Sequence, residues 1–485
     1  MAVSPISPSP VAVIGAGPVG LAAAAHLLQR GLPVVVLEAG DSVAAHLGSY
    51  RHVRLFSPWR YNVDRAARAL LDAAGWVAPD ADALPTAGEL VDHYLAPLAR
   101  TPALAPHIRF GTRVMAVSRD GFDKARTAGR EHADFVLQVQ SAEGLRELRA
   151  RAVIDASGTW SQPNPLGVHG LPVPGEAGAR THIVHGMPDV LGTQRSRYAG
   201  RKVLVVGAGH SAAGNLLALA TLAEQEPGTR VAWAVRGKDL RRLFGGGEND
   251  GLPARGELGV RMRTLVEQGR LELHLGFGIR EVVAGPQGLS VFAVDASKAA
   301  IEGIDEIIAA TGARPDLGIA RELRLRLDPW LESTDALAPL IDPNVHSCGT
   351  VRPHGHRELA HPEPGFYAIG AKSYGRAPNF LLATGYEQAR SVVAALAGDW
   401  RAADDVRLEL PQTGVCSVDF ATSTPAVSDA ACCGGPAQAD SSACCALDES
   451  SKAEGKTGCG CGAKVAIAPP DVAATPAKSS TGCCG

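Results

Sequence analysis

VAVIGAGPVGLAAAAHLLQRGLPVVVLE, residues 11–38, reads as an apolar strand, a glycine-rich turn, a helix and a second apolar strand that closes on Glu38. The glycines stand at Gly15, Gly17 and Gly20. In that spacing the first permits a tight turn, the second lets backbone approach a pyrophosphate, and the third lets helix and strand pack closely. The helix start offers unpartnered N–H groups and the positive end of its dipole to an anion. An acid at the end of the second strand is placed to accept ribose hydroxyls. Strand, turn, helix and acid together make residues 11–38 a dinucleotide-binding unit.

The pattern recurs at VLVVGAGHSA, residues 203–212, with Gly207, Gly209 and Ala212 at the three positions and Ser211 in the same first turn. A helical stretch, NLLALATLAEQ, follows. The next strand, RVAWAV, closes on Arg236 instead of an acid, with Arg241 and Arg242 a few residues on. Arginine there forms charge-assisted hydrogen bonds with a 2′-phosphate, which favours NADPH over NADH. Arg236 also reads as a solvated strand-end charge.

At 485 residues the chain is long enough for about three domains. Its net charge of -3 and lack of a basic stripe argue against nucleic acid and against a membrane surface. MAVSPISPSP lacks the charged and apolar regions of a signal peptide and reads as a short disordered arm. The most apolar window belongs to the first glycine motif, so no transmembrane helix is expected and the default compartment is the cytoplasm. Nine of the ten cysteines lie between Cys416 and Cys484; Cys348 is the exception. From about residue 411 the chain turns to Ala, Ser, Gly, Pro and Cys, too few large apolar residues to offset ordering entropy, and reads as a disordered tail.

Between the motifs, residues 134–140 and 146–154 read as antiparallel strands leading into VIDASGTWSQPN, where Ser157 and Gly158 make a small-residue turn suited to close approach of a cofactor. IIAATGARPD repeats that ending at Thr311 and Gly312. Two such turns, one after each motif, mark chain crossings between nested domains. The segment from 365 to 398 closes the body with a strand ending at Gly370, a loop, and a helix from about Phe380, preceded by Asn379 and including Leu381. A helix start there suits negative charge on a reduced flavin ring; an ordinary terminal strand–helix unit is the alternative.

With these features the chain resembles the two-dinucleotide-binding flavoproteins, and more narrowly the flavin-containing and Baeyer-Villiger monooxygenase group, over about residues 10–400. The resemblance implies an α/β protein with two Rossmann-like dinucleotide-binding domains, an FAD domain split by an NADPH domain, followed by the disordered Cys-rich tail. It implies an FAD part over 1–195, an NADPH part over 196–305, the second FAD part over 306–400 and the tail over 411–485. FAD falls on the first motif with Gly15, Gly17, Gly20 and Glu38, and NADPH on the second with Gly207, Gly209, Ser211, Ala212 and Arg236; Gly158, Gly312, Gly370, Phe380 and Leu381 complete the cofactor-binding set. Trp59 and Asn62, Cys348 and Asn379 are the candidate catalytic residues facing the flavin, with core packing an equal reading of Trp59 and a buried inert thiol of Cys348. Two departures stand out. The monooxygenase fingerprint FxGxxxHxxx(Y/F/W), aligned on His185, has Ala179 for the Phe and Thr181 for the Gly. The acid common after the last FAD strand is replaced by Ala371.

The tail carries Cys432–Cys433, Cys444–Cys445, Cys459 and Cys461, and Cys483–Cys484. Vicinal and CxC thiols splay poorly around tetrahedral zinc but suit soft ions such as As(III), Hg(II) or Cu(I). TGCCG at the C-terminus looks like the tails of mercuric reductase and some thioredoxin reductases, although the body has only Cys348 to relay electrons. Body and tail together resemble flavoproteins of bacterial arsenic-resistance operons. That implies a small-molecule substrate, a trivalent arsenical. Electron transfer to thiols, metal ions or a partner, and thiophilic-metal sequestration, are the alternatives. HSCGTVRPHGHRELAH, residues 346–361, offers four histidines and a cysteine for a metal but is rich in Pro and Gly, and GGGENDG, residues 245–251, reads as a lid or a linker.

Overall fold

The computed structural model describes residues 9–240, 244, 253–346 and 351–408. The chain begins with β1 (Val11–Ile14), α1 (Pro18–Gln29) and β2 (Val34–Leu37). After α2 (Arg65–Ala73) it makes the short β3 (Ile108–Arg109) and an antiparallel meander of β4 (Arg113–Arg119), β5 (Phe135–Ser141) and β6 (Gly144–Ala150). It then returns as β7 (Ala152–Asp155), parallel to β1 with Val11 opposite Ala152. The single strand expected over 146–154 is therefore two. Its first half completes the meander and its second half enters a different sheet, with a bend at Arg151, whose amide donates to Pro10.

Beyond β7 the chain builds a second parallel sheet from β8 (Ile183–His185), β9 (Lys202–Val206) and β10 (Arg230–Val235), with α3 (His210–Gln225) between the last two. α4 (Pro253–Glu267) and β11 (Glu272–Leu275) extend it. A second meander, β12 (Ile279–Gly285), β13 (Gly288–Ala293) and β14 (Ile301–Ile304), precedes β15 (Glu306–Ala309), which lies between β9 and β8. The chain then goes back to the first sheet as β16 (Phe366–Ala368) and finishes the described body with α5 (Leu382–Leu396) and α6 (Trp400–Asp404).

The sheet orders are β16-β7-β1-β2-β3 and β11-β10-β9-β15-β8. The first sheet thus has strands from both sides of the second in sequence. Each sheet is covered on both faces, which is why its strands read as unbroken apolar runs. Alternation along β1 sends Val11 and Val13 toward α1 and α5, where Leu21, Leu27 and Val392 join them, and Ala12 and Ile14 toward Val117, Phe135 and Leu137 of the meander. In the second sheet Val203 and Val205 pack with Leu216 and Leu219 of α3, while Leu204 and Val206 meet Val291 and Ile301. Among the described residues no helix is long and apolar enough to cross a membrane.

A buried ion triad ties the first meander to the returning chain. Glu363, 1 % exposed, accepts from Arg119 and Arg130 at 2.8 Å each and from the Arg324 amide at 3.0 Å. Burial alone would raise its pKa, but the bonds from Arg130, the Arg324 amide and Arg119 hold the carboxyl below the ordinary range.

Candidate functional site

The first turn has the backbone that its sequence requires. Gly15 lies at φ +99°, and a Cβ there would stand 2.9 Å from the Ala156 carbonyl oxygen in the chain crossing after β7. A Cβ on Gly20 would meet the Gly15 carbonyl at 2.0 Å, so helix and turn are in contact without a side chain. Gly17 has nothing within 4 Å of its Cβ position, and it caps α1 without a side-chain bond or an acid in the first turn. Open space before uncapped helix amides fits a dinucleotide pyrophosphate. Glu38 is 8 % exposed and braces this turn: its carboxylate accepts from the Ala16 amide at 2.7 Å and the Gly40 amide at 2.8 Å. Two oxygens offer about four acceptor sites, so capacity for ribose hydroxyls remains.

The crossing beside that turn holds a charged trio. Asp155, fully buried at the end of β7, accepts from the Ser157 hydroxyl at 2.7 Å and pairs with the Lys372 ammonium at 2.6 Å. Lys372, 4 % exposed, also donates to Ser157 Oγ at 3.0 Å. Gly158 follows at φ +71° with open space around it. Sequence reading noticed that Ala371 replaces an acid and passed over its neighbour Lys372. The available signal was an aspartate ending an apolar strand and a lysine just after another.

The start of α5 is built from the same side. Gly370, at φ +70°, lies against Val19 of α1, and its amide donates to Gln388 at 2.7 Å. Gln388 also bonds Ser373 and His354, each at 2.9 Å. Phe380 meets Tyr374 edge-on at 5.2 Å. Leu381 caps α5 without a side-chain bond, again leaving helix amides open. The helix expected from about Phe380 thus begins at Leu382. Asn379, 4 % exposed, donates to the Ile341 carbonyl at 3.2 Å, and its own Oδ1 is buried without a partner. Asn62 uses its side-chain amide on the carbonyls of Ser57 and Pro58, and its backbone carbonyl accepts from the Tyr386 hydroxyl at 2.8 Å. Trp59 packs in the core beneath α1. Cys348 lies outside the described residues.

The second turn repeats the first. Gly207 lies at φ +130°, its Cβ position 2.3 Å from the Ala310 carbonyl oxygen after β15. Gly209 is open and caps α3 with no acid in the first turn. Ser211 is half-buried, and Ala212 is fully buried. The Trp233 ring N–H holds the Gly207 carbonyl at 2.7 Å. Thr311 donates to the Asn164 carbonyl at 2.6 Å, and Gly312 follows at φ +81°. Arg236 is exposed just past β10, and the side chains of Lys238 and Lys298 both come within 4.0 Å of the Cβ position of Gly276 at the end of the neighbouring β11. Lys238 and Lys298 are additions that the sequence reading did not make. Arg241, Arg242 and the 245–251 loop lie outside the described residues.

Ring contacts run between the two sheets' elements. Phe56 meets His210, the first residue of α3, at 5.3 Å, and Tyr50 meets Trp160 at 4.7 Å, with burial pushing the Tyr50 hydroxyl up to about 12. Trp160 in turn touches Gly186, next to His185, whose pKa burial lowers. Ala179 is buried and Thr181 exposed, so neither supplies the bulk or turn of the fingerprint it replaces. The histidines of 346–361 diverge: His354 bonds Gln388, His356 lies 2.8 Å from Asp404, and His361 accepts from the Arg326 amide. Among the described residues no three His, Cys, Asp or Glu converge on a metal position. The tail cysteines 432, 433, 444, 445, 459, 461, 483 and 484 lie outside those residues.

A family profile described as pyridine nucleotide-disulphide oxidoreductase matches residues 12–347. The chain is 31% identical over 201 residues to the indole-3-pyruvate monooxygenase YUCCA1 of Oryza sativa subsp. japonica, 41% of this chain and 42% of that protein. It therefore spans less than half the length of that curated relative. Among solved structures, the bacillithiol disulfide reductase Bdr of Bacillus cereus superposes with a TM-score of 0.60 at 18% identity, over 81% of this chain and 99% of that one. A flavin-containing monooxygenase from Stenotrophomonas maltophilia gives 0.52 at 21% identity, over 81% and 99%. At these identities the two structures speak for the fold.

Proposed function

Because the chain belongs to the pyridine nucleotide-disulphide oxidoreductase family, we propose that it is an NADPH- and FAD-dependent monooxygenase that oxidises a soft nucleophile, a trivalent arsenical, captured by its Cys-rich tail. The family makes it an oxidoreductase of FAD and a pyridine nucleotide. FAD belongs on the first turn and NADPH on the second, and Arg236 with Lys238 and Lys298 offers the cations for a 2′-phosphate. The net reaction takes NADPH, a proton, O2 and substrate to NADP+, water and the substrate oxide, one oxygen atom going to water and the other to the substrate. Bound FAD supplies hydride acceptance and oxygen activation.

The chain's own part is binding, orientation and exclusion of water. Gly17 and Gly209 admit backbone contact with two pyrophosphates. Lys372, through Asp155 and Ser157, fixes the crossing that flanks the first of them. Two ring pairs, Phe56 with His210 at the start of α3 and Tyr50 with Trp160 after β7, offer apolar surface suited to keeping water from a nicotinamide. The observation that carries the substrate class is the pairing of this body with vicinal cysteines at 432–433, 444–445 and 483–484.

The test follows NADPH oxidation, O2 uptake and arsenic oxidation state with phenylarsenite or methylarsenite, for the full chain and for one ending at residue 410. Arsenical-stimulated, O2-dependent turnover to a pentavalent product is expected, with weaker apparent affinity in the shortened chain. The altered fingerprint at Ala179 and Thr181 favours a second reading, an NADPH-dependent reductase that passes electrons to thiols or metal ions. Turnover that continues without oxygen and reduces a disulfide or metal ion selects it.

A further inference from the structure

Gly186 lies at the carboxyl edge of the second sheet, one residue past β8. At φ +87° it occupies the left-handed region, and both of its backbone polar atoms are tied down. Its amide donates to the carbonyl of Ala309, the last residue of β15, at 3.1 Å, and its carbonyl accepts from the buried Asn215 side chain of α3 at 2.9 Å. The next residue, Ala310, is the one whose carbonyl stands against Gly207. Gly186 is thus held by the strand end and the helix that frame the second glycine turn.

Trp160 comes to Gly186 from the other sheet. It follows β7 on the crossing that carries Ser157 and Gly158, and its ring atoms Cζ2 and Cη2 lie 3.0 Å from the position a Cβ on Gly186 would take. Glycine is what lets the indole lie so close. Tyr50 backs the indole, with ring centroids 4.7 Å apart. Tyr50 ends the short helical turn Ala45–Tyr50, and just before that turn the Ala44 amide donates to the Ala16 carbonyl of the first glycine turn at 3.1 Å. Further along the same segment Phe56 meets His210, the first residue of α3. A line of contacts therefore runs from the first turn through Tyr50, Trp160 and Gly186 to the helix of the second, and close-packed contacts pass displacement from one element to the next.

With FAD on the first turn and NADPH on the second, the reading on which this rests, we infer that Trp160 is a positioning residue for hydride transfer between the two dinucleotides, setting the second turn against the first by bearing on Gly186. In that step the nicotinamide C4–H bond breaks and an N5–H bond forms on the flavin. The hydride carries both electrons, so NADPH is oxidised to NADP+ and FAD is reduced. Trp160 bears on Tyr50 and Gly186 and takes no part in the bond changes. Its effect is on distance: transfer requires reacting atoms about 3–3.5 Å apart, and a misplacement of about 1 Å costs on the order of 100-fold in rate. NADPH binding draws on the whole dinucleotide, so affinity should change far less than rate.

The experiment uses the full-length, FAD-loaded protein. Loss of flavin absorbance is followed after anaerobic mixing with saturating NADPH, and NADP+ is titrated to give its dissociation constant and the change it makes in the resting flavin spectrum. Gly186→Ala puts a methyl 3.0 Å from two indole atoms. It should slow bleaching about tenfold or more and reduce the spectral change, with the NADP+ dissociation constant held within about threefold. Phenylalanine lacks those two atoms, so adding Trp160→Phe to Gly186→Ala should recover most of both signals, a recovery that backbone strain at φ +87° alone would not allow. Trp160→Leu keeps every glycine and should also slow bleaching about tenfold, which preserves the test if Gly186→Ala does not fold. Unchanged bleaching in either single variant, no recovery in the double variant, or a loss of NADP+ affinity as large as the loss of rate overturns the inference. A wild-type flavin that NADPH fails to bleach overturns the dinucleotide reading first, and this one with it.

Discussion

The two glycine turns are the same structure made twice, and their differences are confined to what surrounds them. Gly15 stands against the Ala156 carbonyl and Gly207 against the Ala310 carbonyl, each at the crossing that leaves the neighbouring strand. The strand-end acid Glu38 braces the first turn from within, whereas the second has exposed Arg236 at the matching place. The first crossing contains buried Asp155 and Lys372, while the second has Ala309 and Ala310 and is held by Thr311 and Asn164. Backbone contact therefore shapes both turns alike, and the proposed choice of dinucleotide rests on the side chains around them. The larger charge burden lies on the first turn.

Breaking the backbone contact should have the largest effect, and on one side only. Gly207→Val places a side chain where 2.3 Å separates the Cβ position from backbone. It should abolish NADPH binding, by at least about 100-fold, given a clash that only backbone movement relieves. Flavin content should stay near wild type, read from absorbance of the purified protein. Loss of both cofactors would mean that the two turns are not independent. Next comes the charge pair special to the first crossing. Lys372→Met leaves the Asp155 carboxylate buried and alone and should cost about 3–5 kcal/mol in urea unfolding. The double variant with Asp155→Leu should recover most of that. An equal loss in the double variant would show that Lys372 acts through packing alone.

The strand-end difference should give a smaller, selective effect. Arg236→Ala removes one charge-assisted contact, worth about 1.5–3 kcal/mol, and should raise KM for NADPH roughly 10- to 100-fold while leaving that for NADH unchanged. Lys238→Ala and Lys298→Ala should each shift the same ratio by less. If NADH and NADPH are affected alike, the cations are solvated surface charge and the 2′-phosphate lies elsewhere.

The repeated turn was legible because its requirements are local: glycine spacing, an apolar strand before and a helix after are all contiguous in sequence. The nested order of the sheets was legible for a related reason, since each motif is followed by its own small-residue crossing. What escaped was pairing between distant residues. Lys372 meets Asp155 and Ser157 across more than 200 positions, and Arg119 meets Glu363 across 244. The only local signal for the first is an aspartate ending one apolar strand and a lysine just after another, and nothing local joins the two. Asn62 is a flavin-facing candidate by resemblance, yet its side chain closes its own turn, a local bond that composition does not reveal. The split at Arg151 escaped because both halves are β-prone, and only their different partners separate them.

The asymmetry also has an effect on pH dependence. His361 lines a cavity at the carboxyl edge of the first sheet with Asp155 and Lys372, and burial lowers its pKa from 6.5 to about 4. The folded protein therefore holds this ring neutral where the unfolded chain would protonate it. Between about pH 6.5 and 4 the unfolded state binds the extra proton, so stability rises with pH across that window. The contribution is fully present above 6.5, is lost as the pH falls toward 4, and amounts to about 3 kcal/mol at most. His354, lowered chiefly by burial, adds to the same slope. Urea unfolding of wild type and His361→Gln at pH 7 and pH 5 should show a gap that narrows at the lower pH, because the variant has no proton to take up there. A gap that stays constant would mean that His361 titrates alike in both states, and that the charge burden at the first crossing is carried by Asp155 and Lys372 alone.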